Sequence, residues 1–214
     1  MSKFVLIDGH SILNRAFYGV PIFTNSEGLH TNAVFGFLNI MFKIIDSKQP
    51  DYMAVAFDVH QPTFRHEMFK DYKGTRKPMM EELREQVPVI KELLQKMNIT
   101  TVELPGYEAD DVIGTLSKEG EKAGMEVDVI SGDRDLLQLA SDHITICIPK
   151  TKKGQTTVEE YNTEGVRKLY KVTPTEFIDV KALMGDSSDN IPGVPGIGEK
   201  GATAIISQFG SIEN

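Results

Sequence analysis

Three apolar runs that each halt at an aspartate constrain this chain most. Phe4-Val5-Leu6-Ile7 stops at Asp8-Gly9, residues 52–57 stop at Asp58, and Val127-Asp128-Val129-Ile130 leads into Ser131-Gly132-Asp133. Runs this apolar suit strands buried on both faces of a sheet. Helical spacing fills the gaps between them, for instance Val34, Phe37, Leu38, Met41, Ile44 and Ile45 within 31–48. Alternating strands and helices predict an α/β fold, a mainly parallel sheet with helices on both faces. Such sheets bind ligands beyond the carboxyl ends of their strands. Asp8, Asp58 and Asp133 are therefore expected on one rim.

The rest of the chain fills in around this frame. Helices are expected over 11–18, 81–97 with Pro88 as a kink or early boundary, 108–122 stopped by Gly124, 163–170 and 174–184 with Pro174 at the start. A helical turn is expected over 133–139 and a last helix from about Glu199. Further strands are expected over 100–104 and 144–148, and a hairpin over 150–161 turns around Lys153-Gly154. Residues 62–80 follow neither period. Two regions are expected, one over 1–172 with an irregular basic stretch over 62–80, and one over 173–214.

No apolar run approaches the length of a membrane span, and no secretory leader is evident. A single cysteine, Cys147, allows no internal disulfide. These features predict a cytoplasmic protein without a membrane partner; a monomer is expected. The net charge of −8 runs against nucleic-acid binding. Many of the acids, however, fall in short clusters of the kind that hold cations, and bound divalent ions would reverse the local sign.

Nine carboxylates carry that argument: Asp8, Asp58, Glu108, Asp110, Asp111, Asp133, Asp135, Asp186 and Asp189. Glu108 and Asp111 share a helix face, as residues three apart do. Taken singly, most are ordinary caps or turn residues. Crowded on one rim they would repel each other unless cations sat among them, and neighbouring bases such as Arg134 look too few. All-oxygen ligands select magnesium or manganese over zinc. The five histidines show no ligand spacing and read as surface or packing residues. A pair of such ions suits in-line displacement at phosphorus. Gly9-His10-Ser11 lacks the flanking glycines of a nucleophile elbow.

Gly196-Ile197-Gly198-Glu199-Lys200-Gly201 matches a dinucleotide fingerprint literally, but Pro192 and Pro195 precede it where a central strand is required. A helix–hairpin–helix fits better. Its turn, with Gly193, Val194, Gly196, Ile197, Gly198 and Lys200, would present backbone N–H groups to a DNA phosphate. Between Thr63 and Lys77, the cations Arg65, Lys70, Lys73, Arg76 and Lys77 interleave with Phe64, Phe69 and Tyr72. That mixture fits a single-strand channel; the plain alternative is a solvated face whose rings dock on the core.

Read together, several motifs are recognisable: Leu6-Ile7-Asp8-Gly9, Ala56-Phe57-Asp58, Tyr72-Lys73-Gly74-Thr75-Arg76, Gly106-Tyr107-Glu108-Ala109-Asp110-Asp111, Ser131-Gly132-Asp133-Arg134-Asp135, and the run from Met184 to Gly193 followed by the hairpin. The chain resembles the 5′ nuclease (5′-3′ exonuclease, flap endonuclease) family, which includes N-terminal domains of bacterial DNA polymerases. The resemblance implies a PIN-like fold and two-metal cleavage of DNA with 5′ flaps, nicks or branches, with RNA primer 5′ ends as a further substrate. It implies a tighter metal site at Asp8, Asp58, Glu108 and Asp110, and a second at Asp111, Asp133, Asp135, Asp186 and Asp189, with Asp110 shared. Lys73 and Arg76 correspond to arch cations that steer the scissile phosphate, and Tyr72 to a base-stacking ring. The hairpin corresponds to a duplex-binding element that holds a potassium ion. The resemblance also implies an attached polymerase domain and some tens of residues beyond the hairpin, where this sequence ends at Asn214. The competing reading is a non-cutting DNA-binding protein of the same fold; nine intact acids facing phosphate argue against it.

Overall fold

The computed structural model describes residues 1–152 and 155–214. Its sheet has six strands: β1 (Lys3–Asp8), β2 (Tyr52–Ala56), β3 (Thr100–Val102), β4 (Glu126–Ile130), β5 (Ile144–Lys152) and β6 (Gln155–Tyr161). They lie in the order β3-β2-β1-β4-β5-β6. The first five pair in parallel, and β6 returns antiparallel along β5. The chain builds outward from β1 to β3, then crosses back to place β4 on the other side of β1. That reversal makes the β1–β4 boundary a topological switch point, where a crevice opens beyond the strand ends. Asp8 ends β1 there, and Ser131 to Asp133 follow β4.

The pleat divides the core in two. Leu6, Ala54, Val129 and Ile146 face one cluster, with Ile113 of α6 (Ala109–Lys122), Val166 of α7 (Thr163–Tyr170), Phe177 of α8 (Glu176–Met184) and Ile206 of α9 (Glu199–Phe209). Val5, Ile7, Val55 and Ile130 face the other, with Leu13 of α1 (Gly9–Gly19), Phe37 and Met41 of α2 (Asn32–Lys48) and Ile90 of α5 (Gln86–Lys96). Helices thus cover both faces, as near-continuously apolar strands require. At the rim, Gly9 is needed for a close approach: a Cβ there would stand 2.4 Å from the Phe57 ring.

Several boundaries differ from expectation for identifiable reasons. The helix expected over 81–97 is two pieces, α4 (Glu81–Arg84) and α5, separated at Glu85. Pro88 lies in the first turn of α5, where its missing N–H costs little, so the break falls upstream of the proline rather than at it. The 62–80 segment is as irregular as its lack of period predicts. It holds one short helix, α3 (Phe64–Met68), followed by turns. Residues Asp135–Leu139 form a 3-10 turn. The helix expected from Pro174 begins at Glu176. β5 runs on to Lys152; the turn expected at Lys153-Gly154 lies outside the described residues.

Candidate active site

Asp8 is the buried floor of the rim. One carboxylate oxygen accepts the Ser11 N–H at 3.0 Å and so caps α1; the other accepts the Ser131 hydroxyl at 2.7 Å. Only 5% of Asp8 is exposed, and burial pushes its carboxyl up to about 6 despite those two bonds. Asp58, two residues past the end of β2, accepts the Ala109 N–H at 2.8 Å, which ties the rim to the start of α6. Its own N–H donates to His10 Nδ1 at 3.1 Å. Burial acts to raise the Asp58 carboxyl, but His10 and the Ala109 N–H outweigh it and hold the group at about 2.

The first turn of α6 adds the central acid. Burial raises Asp110 well above the usual carboxylate range, and the charges of Asp8, Asp133, Asp58 and Glu108 raise it further. Among the described residues no Lys or Arg pairs with Asp110. Asp133 is exposed beside it, its N–H bound to the Ser131 hydroxyl and one carboxylate oxygen accepting the Asp135 N–H at 2.8 Å. Topology therefore gathers Asp8, Asp58, Glu108, Asp110 and Asp133 at one place.

Asp111, Asp135, Asp186 and Asp189, together with Glu108, are clasped by cations. Arg65 binds Asp111 through two N–H groups at 2.7 and 2.8 Å. Lys73 donates to Glu108 at 2.6 Å, and Arg76 pairs with Asp189. Lys181 bridges Asp135 at 2.8 Å and Asp186 at 3.0 Å. This corrects the expectation that neighbouring bases are too few: the compensating cations come from distant sequence. Arg134, the base nearest in sequence, turns away to the Tyr170 hydroxyl. Among the described residues no three His, Cys, Asp or Glu side chains form a finished metal cage.

Tyr72 also departs from its expected role. It is 5% exposed, and its hydroxyl donates to Glu108 at 2.9 Å and Asp189 at 3.1 Å. Burial and the Glu108 carboxylate push the phenol far up, so it remains a donor. With His66 edge-on and Lys73 above it, the ring is not open to a base in this structure. The more accessible rings are Phe64 and Phe69, each 38% exposed. Lys70 and Lys77 are exposed.

The hairpin between α8 and α9 is closed by backbone contact. Gly185 has φ +70°, and a Cβ at Gly185 or Gly193 would stand 2.3 Å from backbone of the facing strand of the loop. Val194 N–H donates to the Leu183 carbonyl at 2.8 Å. Beyond this clamp, Val194, Gly196, Gly198 and Lys200 are exposed, while Gly193 and Ile197 are half-buried. The hairpin loop also docks on the basic segment: Lys73 N–H donates to the Asp189 carbonyl, and the Asn190 amide to the Asp71 carbonyl.

Three contributors were missed from sequence. Ser131 gave a weak signal as the residue between strand and Asp133. His10 adjoins Asp8 and was read as packing, yet it holds the Asp58 backbone. Lys181 sits in the last turn of α8, a position that reads as dipole compensation.

This is an α/β hydrolytic centre: a carboxylate cluster at the switch point of a parallel sheet, with cations poised beside it. Residues 3–171 match the model of the 5′-3′ exonuclease N-terminal resolvase-like domain, and residues 172–214 match that of the 5′-3′ exonuclease C-terminal SAM fold. The chain belongs to the 5′-3′ exonuclease family, nucleases that hydrolyse phosphodiesters. It is 54% identical over 212 residues to DNA polymerase I of Bacillus caldotenax, covering 99% of this chain and 24% of that protein. The chain thus spans about a quarter of the length of the curated relatives it matches. Among solved structures it is similar to bacteriophage T5 5′-exonuclease with divalent zinc ions bound, at TM-score 0.77 and 26% identity, covering 99% of this chain and 77% of that one. The T5 D15 flap endonuclease complex with DNA and metal ions also matches at TM-score 0.77 with 27% identity, covering 99% of this chain and 76% of that one.

Proposed function

We propose that this chain cuts DNA near the 5′ ends of flaps, nicks and branches, RNA-primed 5′ ends included, at the β1–β2–β4 rim. One observation carries the reading: Asp110 stands among four other carboxylates with no cation paired to it. Such a cluster is tolerable at neutral pH only with positive charge added. Its donors are all oxygen, which fits hard divalent ions, magnesium or manganese. Asp8, Asp58, Glu108 and Asp110 would hold the tighter ion; Asp111, Asp133, Asp135, Asp186 and Asp189 would serve the second. When bound, such ions activate water and stabilise charge at phosphorus.

The chain's own residues supply the rest. Ser131, Ser11 and His10 fix the carboxylates before substrate arrives. Lys73 and Arg76 pair with acids that would hold a metal; with those acids so engaged, both cations would be free to meet the scissile phosphate. Residues 1–172 would form the catalytic core, and 173–214 would grip duplex, with hairpin N–H groups on a phosphate and hairpin carbonyls on potassium. The proposed setting is a cytoplasmic monomer attached to a polymerase domain.

A labelled 5′-flap duplex tests this. Cleavage is expected with magnesium and none with chelator. Asp58→Ala is expected to lower cutting by on the order of a hundredfold or more while flap binding survives, since it removes positioning rather than grip. Normal cutting by that variant would refute the site.

A further inference from the structure

The acids held by cations are not all held alike. Lys73 and Lys181 reach theirs with a single ammonium group, and Arg76 meets the Asp189 carboxylate through one nitrogen. Among the described residues only Asp111 is gripped by both arms of a guanidinium. Arg65 Nη1 donates to its Oδ2 at 2.7 Å and Nη2 to its Oδ1 at 2.8 Å. The same Oδ2 also accepts the Glu108 N–H at 2.9 Å. Three N–H groups thus cover both oxygens of this carboxylate.

The chain accounts for this arrangement without an ion. Glu108 is the N-cap of α6 and Asp111 its third helical residue. An acid there reaches back to the N–H of the cap, which has no partner within the helix. Arg65 adds a tertiary link from α3. The first N–H of that helix, at Phe64, donates to the Gly106 carbonyl at 3.3 Å, two residues before Glu108. The Arg65 guanidinium lies 4.6 Å from the centre of the Phe64 ring, and its Nη1 lies 3.8 Å from Glu108 Oε2. Arg65 is therefore wedged between a ring, Asp111 and Glu108. An ion entering at Asp111 would have to break a planar, charge-assisted pair and release the Glu108 N–H. At Glu108 Oε1 it need displace only the Lys73 ammonium.

We propose that Arg65 and Asp111 form a strut that aims Glu108, and that Asp111 serves the ions through Glu108 instead of binding one. Both are positioning residues: the fork fixes the first turn of α6, and that turn fixes where the Glu108 carboxylate points. The inference rests on the two-ion reading and removes Asp111 from its second ligand set.

The test is calorimetric titration of the chain with manganese, without DNA, beside thermal melts in chelator. Asp111→Asn keeps an oxygen for the Glu108 N–H but loses the charge that a ligand supplies. It is expected to bind as many ions as wild type, each at most about tenfold more weakly, as the loss of a supporting partner costs. Asp110→Asn is expected to bind one ion fewer. Arg65→Lys keeps the charge and loses the fork. It is expected to weaken manganese binding several-fold, and adding Asp111→Asn to it should cost little more, in affinity and in melting temperature alike. Tighter manganese binding by Arg65→Lys would mean that the arginine competes for a ligand, and one ion fewer in Asp111→Asn would make that residue the ligand. Either result overturns the proposal. Additive losses in the chelator melts would overturn it with no metal present. A wild type that takes up no manganese would count against the two-ion reading, and the melts would still decide the strut.

Discussion

Asp8 does three things at once: it ends a strand, caps a helix and stands in the repelling cluster. Its carboxyl at about 6 in the fold compares with 3.8 ordinarily. The folded state therefore keeps a proton that the unfolded chain has already lost between those values. Stability from this group falls as pH rises through that window, by about 3 kcal/mol in full, and stays lower above it. Asparagine can keep the Ser11 cap without the charge. Metal-free Asp8→Asn is thus expected to melt above wild type at about pH 7, to converge with it at about pH 4, and to lose cleavage. Differential scanning calorimetry across that range checks the sign; a lower melting temperature at the higher pH would be the wrong outcome. Asp58 behaves oppositely: held at about 2, its contribution persists above the ordinary value and fades only as acid approaches 2.

At the scale of elements, the basic segment around α3 and the loop after α8 form one unit. Lys73, at φ +55°, links backbone to Asp189 and side chain to Glu108. If this clasp stands in for metal, removing it should release ligands. Lys73→Ala and Arg76→Ala are expected to cut flaps at least about tenfold more slowly, yet to bind magnesium no more weakly than wild type by calorimetry. Weakened metal binding would place these side chains in a supporting role instead. The hairpin makes a separate prediction. Gly185→Ala forces both a positive φ and a clash at 2.3 Å, whereas Gly196 has φ +83° in open space. Alanine at Gly185 should cost upward of about 2 kcal/mol in urea unfolding, and at Gly196 about 1 kcal/mol. Equal costs would mean the 185–193 contact is not the clamp.

At the scale of the whole molecule, net charge −8 with a partly unpaired cluster means that divalent ions, on the proposed reading, would be a folding ligand as well as a cofactor. At a hundredfold excess over Kd, one site adds about 2.7 kcal/mol of stability. Magnesium is expected to raise the melting temperature of wild type reversibly with chelator, and to raise that of Asp8→Asn much less. An identical rise in both would place the ion elsewhere.

The sequence alone determined the sheet and its rim, because near-continuous apolar runs ending in aspartate leave few alternatives. It also determined the helix pair flanking the hairpin, whose bounds at Met184 and Glu199 were legible from glycine and proline. Tertiary structure alone decided which charges meet. Arg65 and Asp111, Lys73 and Glu108, Arg76 and Asp189 are far apart in the chain, and no local pattern couples them. It likewise turned Tyr72 inward. Periodicity reports which face of an element is buried, but ion pairing depends on distances between elements, and those exist only once the sheet has closed the chain on itself.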